Sequence, residues 1–178
     1  MNAQDVRLTD DVVVLRPWTE DDLPQMVRLF DDPEIAFRTP VTAPFDTRAA
    51  RTHLETLRRA QEAGDRLCLA ITAAEDDLPR GEVMLSFRDD SVGYAVGPAY
   101  RGRGLAARAV RLLTTYAHEV LDRPRMHLWI EADNAGSTGV ARAAGYRPGD
   151  AEPMVVEDKG RRYPLLPWVH DRPDAGLA

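Results

Sequence analysis

A short β-branched run, V-V-V-L at 12–15, opens the patterned part of the chain and reads as a strand. Polar R-P-W-T-E-D-D follows, and Thr19 can cap a helix over 21–30 whose first turn is acidic. D-D-P at 31–33 breaks that helix. A second helix is expected after Asp46 and runs to Ala63, with Leu54, Leu57 and Ala60 on one face and Gly64 as its stop. Two strand-like runs, 67–72 and 82–87, flank the turn-rich A-A-E-D-D-L-P-R-G, and a third, S-V-G-Y-A-V, ends before Pro98. From 104 to 121 the period is helical, with Leu105, Ala106, Val110, Leu113, Ala117 and Val120 on one stripe. Pro124 separates it from a strand at 126–131. After D-N-A-G-S a short helix reaches Ala144, and Gly145 stops it. Runs at 154–157 and 163–169 form a hairpin around D-K-G.

The order is therefore strand, two helices, three strands, helix, strand, helix, two strands. That predicts an α+β fold, a mixed sheet of about seven strands with about four helices against it, and not the strict alternation of a doubly wound fold. No internal repeat or low-complexity linker interrupts the 178 residues, so one domain over 1–178 is expected.

Composition narrows the function classes. A formal net charge of −6 argues against a broad nucleic-acid surface and weakly favours a cationic substrate such as an amine. No apolar run approaches the roughly 20 residues of a membrane span, and the first residues lack the basic start and apolar stretch of a secretory signal. The single cysteine, Cys68, excludes an internal disulfide framework and a cysteine zinc cluster. A soluble cytoplasmic protein is expected. Lys159 is the only lysine, the other cations being arginines.

One octapeptide carries chemistry. Residues 101–108 read R-G-R-G-L-A-A-R, just where the long helix must begin. Gly102 and Gly104 let the backbone turn sharply and approach a ligand closely. The helix start presents unpaired N–H groups and the positive end of its dipole, an anion site suited to pyrophosphate. Arg101 and Arg103 could add charge-assisted contacts, although a turn with solvated arginines would look the same. The spacing matches neither the phosphate-binding loop of NTPases nor the dinucleotide fingerprint.

Tyr94-Ala95-Val96, then G-P-A-Y, then R-G-R-G-L-A resembles the acetyl-CoA signature of the GNAT N-acetyltransferases, with Arg101, Gly104 and Ala106 filling its fixed positions. Downstream, N-A-G-S-T-G-V-A-R-A-A-G-Y is similar to the N-x-x-S…G-[FY] segment of the RimJ/RimL-type branch, and V-V-V-L-R-P-W-T-E-D-D to its opening strand and turn. The resemblance spans about 12–169 and implies a mostly antiparallel central sheet with a splayed pair of strands. It implies acetyl-CoA as co-substrate and an amine acceptor, and it admits a homodimer. The backbone of Tyr94, Ala95 and Val96 would then hold pantetheine and the acetyl carbonyl. The amides of Gly102, Arg103, Gly104, Leu105, Ala106 and Ala107 would hold the pyrophosphate, and Asn134 would contact the cofactor.

Acetyl transfer needs a neutral amine, a polarised thioester carbonyl and a stabilised thiolate. Many relatives use a tyrosine of the last helix for the thiolate; Ala141 stands there in this chain. Ser137 is the candidate donor to sulfur, or else a helix cap. Glu131, at the end of its strand, is the candidate base; Glu82 is a second, and each could instead be solvated or structural. An α-amino group is already partly neutral at physiological pH, so a strong base is not required. His53, His118, His127 and His170 share no metal-ligand spacing, with His53 and His118 expected at the surface. Cys68 is expected to pack in the core. A non-catalytic acyl-CoA-binding module is the alternative function.

Overall fold

The computed structural model describes residues 6–173. Nine strands form one sheet: β1 (Leu8–Thr9), β2 (Val13–Arg16), β3 (Arg66–Ala73), β4 (Asp76–Ser86), β5 (Ser91–Val96), β6 (Arg125–Glu131), β7 (Arg147–Pro148), β8 (Met154–Asp158) and β9 (Arg161–Asp171). Five α-helices accompany them: α1 (Leu23–Phe30), α2 (Pro33–Arg38), α3 (Thr47–Glu62), α4 (Leu105–Glu119) and α5 (Ala135–Ala143). Strand order is β1-β2-β3-β4-β5-β6-β9-β7, with β8 pairing β9. Every pairing is antiparallel except β5 with β6, which is parallel and registers only at Ser91↔His127.

Helices cover both faces of the sheet. On one face Leu67, Leu69, Ile71, Val83, Leu85 and Val92 pack with Val110, Leu113 and Ala117 of α4 and Ala141 of α5. On the other, Ala70 packs with Met26, Leu29 and Phe30 of α1 and Leu54 of α3. A strand buried on both sides has no solvent face, which is why L-C-L-A-I reads as continuous apolar sequence without alternation.

The α+β class and the helix and strand positions agree with the sequence reading; the counts are higher, nine strands and five helices among the described residues. The two-residue strands β1 and β7 are too short to show alternation. D-D-P at 31–33 ends α1 but also starts α2: Asp32 accepts the Ile35 amide at 3.0 Å and Pro33 takes the first helical position. The expected helix over 21–30 opens instead as a 3-10 turn at Glu20–Asp22. There Asp22 is the acceptor, taking the Thr19 amide at 2.8 Å and the Thr19 hydroxyl at 2.9 Å, while paired with buried Arg16. The turn-rich stretch after β3 is mostly strand, because Arg80 folds back on Asp76 at 2.8 Å and neutralises the acidic hairpin. Val120 lies past the end of α4 and is exposed. His118, expected at the surface, is buried: its Nδ1 donates to the Arg123 carbonyl at 2.6 Å and its Nε2 meets His170 Nδ1 at 3.0 Å.

Candidate active site

The loop before α4 has the geometry that its glycines permit. Gly102 and Gly104 sit at φ +73° and +75°, in the left-handed region that side chains other than glycine rarely enter. A Cβ at either would meet no protein atom within 4 Å, so the dihedral and not crowding within the chain demands glycine. Gly104 is the N-cap of α4 without a side-chain cap, and the amides of residues 102–107 donate to no acceptor among the described residues. Six successive N–H groups at the positive end of a fifteen-residue helix form a ready anion site.

The two arginines of the loop part company. Arg101 reaches back to α2, with Nη1 on Glu34 at 2.6 Å, Nη2 on Asp32 at 3.1 Å and Nε on the Val96 carbonyl at 3.2 Å. It braces the loop against the helix. Arg103 is exposed, lies over the Tyr100 ring at 5.7 Å and makes no ion pair among the described residues, so its charge is available to a ligand.

Beside this loop β5 and β6 touch only at their start and then diverge, leaving the edge of β5 from Tyr94 to Val96 unpaired on that side. Two cavities meet in the gap. One, of about 480 Å³, runs along Tyr94, Ala95, Val96, the glycine loop and Asn134, Ser137 and Val140 of the α5 region. The other, of about 770 Å³, lies under α3 on the opposite face of the sheet, lined by His53, Glu82, Met84, Trp129 and Glu131 among others. Both are bordered by Arg38, Thr39, Tyr94, Ala95, Asn134 and Ser137.

At that junction Asn134 is the N-cap of α5 and accepts the Ser137 amide at 3.0 Å. The cap is thus Asn134, and the Ser137 hydroxyl is free of that duty. Ala141, one turn on, is fully buried. The Tyr94 hydroxyl is buried without a partner in hydrogen-bonding geometry. Burial raises its pKa, and the neighbouring Ser137 side chain partly offsets this.

The candidate carboxylates have different company. Glu131 is 8% exposed, and its Oε2 takes Arg161 at 2.8 Å and Arg38 at 3.1 Å. Glu82 faces His53 Nε2 at 3.2 and 3.3 Å from its two oxygens. Burial disfavours the His53 imidazolium, but the Glu82 carboxylate outweighs it and the His53 pKa is raised. His53, half-buried between the rings of Phe30 and Phe45, was not legible as a site residue; neither were Arg38 and Arg161. Cys68 is buried as expected, and burial pushes its thiol pKa up, against a nucleophilic role. Among the described residues no cluster of His, Cys, Asp or Glu could hold a metal, and no helix is long and apolar enough to cross a membrane.

The acetyltransferase (GNAT) domain model matches residues 13–147, most of the chain. The chain belongs to the GNAT acetyltransferase family. This GNAT enzyme takes acetyl-CoA as co-substrate, and the free amides and the open edge of β5 fit that ligand's pyrophosphate and pantetheine. Solved structures similar to it include a GNAT-family acetyltransferase from Bacillus anthracis (13% identity, TM-score 0.80, covering 94% of this chain and 99% of that one). Another is the ribosomal-protein-S5-alanine acetyltransferase from Vibrio fischeri (18%, 0.76, 97% and 100%). A third is the microcin C7 self-immunity acetyltransferase MccE, solved with acetyl-CoA and AMP (16%, 0.78, 91% and 93%). At these identities the likeness speaks for the GNAT fold alone. A comparison with curated proteins finds no match.

Proposed function

We propose that this GNAT acetyltransferase, a single domain of the RimJ/RimL-like branch working in the cytoplasm, moves acetyl from acetyl-CoA directly to an amine. The acceptor is a protein N-terminus or a small-molecule amine. The observation that carries the reading is the meeting of two cavities at Tyr94, Ala95, Asn134 and Ser137. A donor along the loop cavity and an acceptor under α3 would bring thioester carbon and amine together without a covalent enzyme intermediate, and such orientation is itself a large part of catalysis.

The amides of residues 102–107 hold the pyrophosphate, with Arg103 as an auxiliary charge. The backbone of Tyr94, Ala95 and Val96 pairs with pantetheine and polarises the carbonyl. Asn134 orders the start of α5, and Ser137 donates a hydrogen bond to the departing sulfur. For the proton of an incoming ammonium, Glu82 with His53 is better placed than Glu131. The Oε2 of Glu131 is taken up by Arg161 at 2.8 Å and Arg38 at 3.1 Å, so we assign Glu131 to holding these two side chains and shaping the acceptor cavity.

A screen of amines, from peptide N-termini to polyamines and amino sugars, read by free CoA release and product mass, tests this. The expected result is amine-dependent release with one acetyl added to nitrogen. Tight CoA binding with release no faster than hydrolysis across the panel would overturn direct transfer.

A further inference from the structure

Of the buried polar side-chain atoms without a hydrogen-bond partner among the described residues, the Tyr94 hydroxyl is the one whose residue borders both cavities, and the reaction so described gives it no task. Along β5 the side chains of Val92, Tyr94 and Val96 join the core under α4, whereas Ala95 joins the opposite one. Tyr94 therefore directs its ring toward the α4–α5 side, where its hydroxyl is buried and finds no hydrogen bond of good geometry. An unsatisfied buried hydroxyl destabilises a fold, and phenylalanine would avoid that. Its polar neighbour is Ser137, whose own amide is already held by Asn134. Both residues border both cavities, where the carbon–sulfur bond must break. Ala141, at the next turn of the same helix, offers no polar group.

We propose that Tyr94 is a positioning residue for the leaving group: its hydroxyl donates to Ser137 Oγ, which turns the serine O–H onto the sulfur of CoA. The inference rests on the acetyl-transfer reading above. As the amine nitrogen bonds to the carbonyl carbon, the carbon–sulfur bond breaks and its electron pair stays on sulfur. The Ser137 O–H meets that charge, and the Tyr94 O–H meets the charge drawn onto Ser137 Oγ. The proton that ends on sulfur is the one the nitrogen loses, so Tyr94 and Ser137 finish as they began. A phenol whose pKa burial has raised suits this use, because it donates a hydrogen bond without surrendering its proton.

Tyr94→Phe deletes one oxygen and keeps the ring, so a purely structural role and the proposed one give opposite results. The proposal expects unchanged or higher thermal stability and acetyl-CoA affinity near that of the wild type. It also expects kcat to fall roughly tenfold or more. The double variant Tyr94→Phe with Ser137→Ala should be no slower than Ser137→Ala alone, because the tyrosine acts through the serine. An unchanged kcat in a folded Tyr94→Phe protein, or two losses that multiply, overturns the proposal. A second arm needs no acceptor. Calorimetric affinity for free CoA should tighten from neutral to mildly alkaline pH as its thiol ionises, and that gain should shrink in both single variants. Equal pH dependence in the wild type and Tyr94→Phe also overturns it. If the wild type turns over no amine, the acetyl-transfer reading fails, while the calorimetric arm still decides the Tyr94–Ser137 relation.

Discussion

Replacing Gly104 by asparagine separates the two demands that this position meets. The backbone there has φ +75° and ψ 2°, the left-handed conformation. Alanine would be strained by about 1–2 kcal/mol, while asparagine enters the region with far less strain. An added Cβ meets nothing within 4 Å, so the protein itself offers no clash. Asparagine is also a favoured N-cap and can accept from the amides that now lack acceptors. The Asn variant should therefore unfold within about 1 kcal/mol of the wild type. Its side chain, however, occupies the wall of the 480 Å³ cavity and competes for the amides of residues 102–107. Acetyl-CoA affinity should fall at least about tenfold, or about 1.4 kcal/mol. Thermal unfolding and titration calorimetry read the two effects separately. Wild-type affinity in the folded Asn variant would refute the pyrophosphate assignment. A large loss of stability in that variant, matching that of Gly104→Ala, would refute the dihedral argument.

Gly81 faces Val96 across β4 and β5, and a Cβ there would stand 2.4 Å from the Ala95 carbonyl oxygen, a backbone atom that cannot step aside. Gly81→Ala should destabilise by about 3 kcal/mol in urea unfolding, and a change under 1 kcal/mol would mean that the two strands are not held this close. Glu131→Gln leaves Arg38 and Arg161 facing a neutral group. We expect a loss of about 2 kcal/mol, less than for a fully buried pair because both arginines keep access to water. Its pH–rate profile should keep the wild-type acidic limb, and disappearance of that limb would restore Glu131 as the base. The His118–His170 pair sets a pH dependence. Burial first, and then His118, lower the His170 pKa in the fold, with Asp171 opposing. The unfolded chain thus binds that proton more readily. The contribution of His170 is complete above its ordinary pKa of about 6.5 and is lost as pH falls through that value toward the lower folded one. Unfolding midpoints measured down that window should drop less in His170→Gln than in the wild type, and parallel curves would exclude the mechanism.

The sequence by itself determined what short stretches of chain can encode. Whereas the choice of Asn134 over Ser137 as the cap of α5 came from the structure, Asp46 caps α3 and Gly64 ends it in the left-handed region, because each acts on amides or dihedrals within a turn of itself. The glycine loop is of the same kind, as its conformation and free amides belong to consecutive residues. The continuous apolar run of β3 likewise signals burial on both faces. What only the tertiary structure decided lies between residues far apart in sequence. Arg101 looked like a phosphate ligand from its neighbours, yet it binds Glu34, 67 positions away. Glu82 acquires His53 across 29 positions and Glu131 acquires Arg161 across 30, pairings that no local spacing encodes. Tyr94 read as backbone only, since its side chain gains meaning from the helix that comes to rest over it. Local chemistry fixes where a chain turns and caps; which charges meet depends on how the sheet and helices close around them, a long-range packing result that leaves no periodic trace in the sequence.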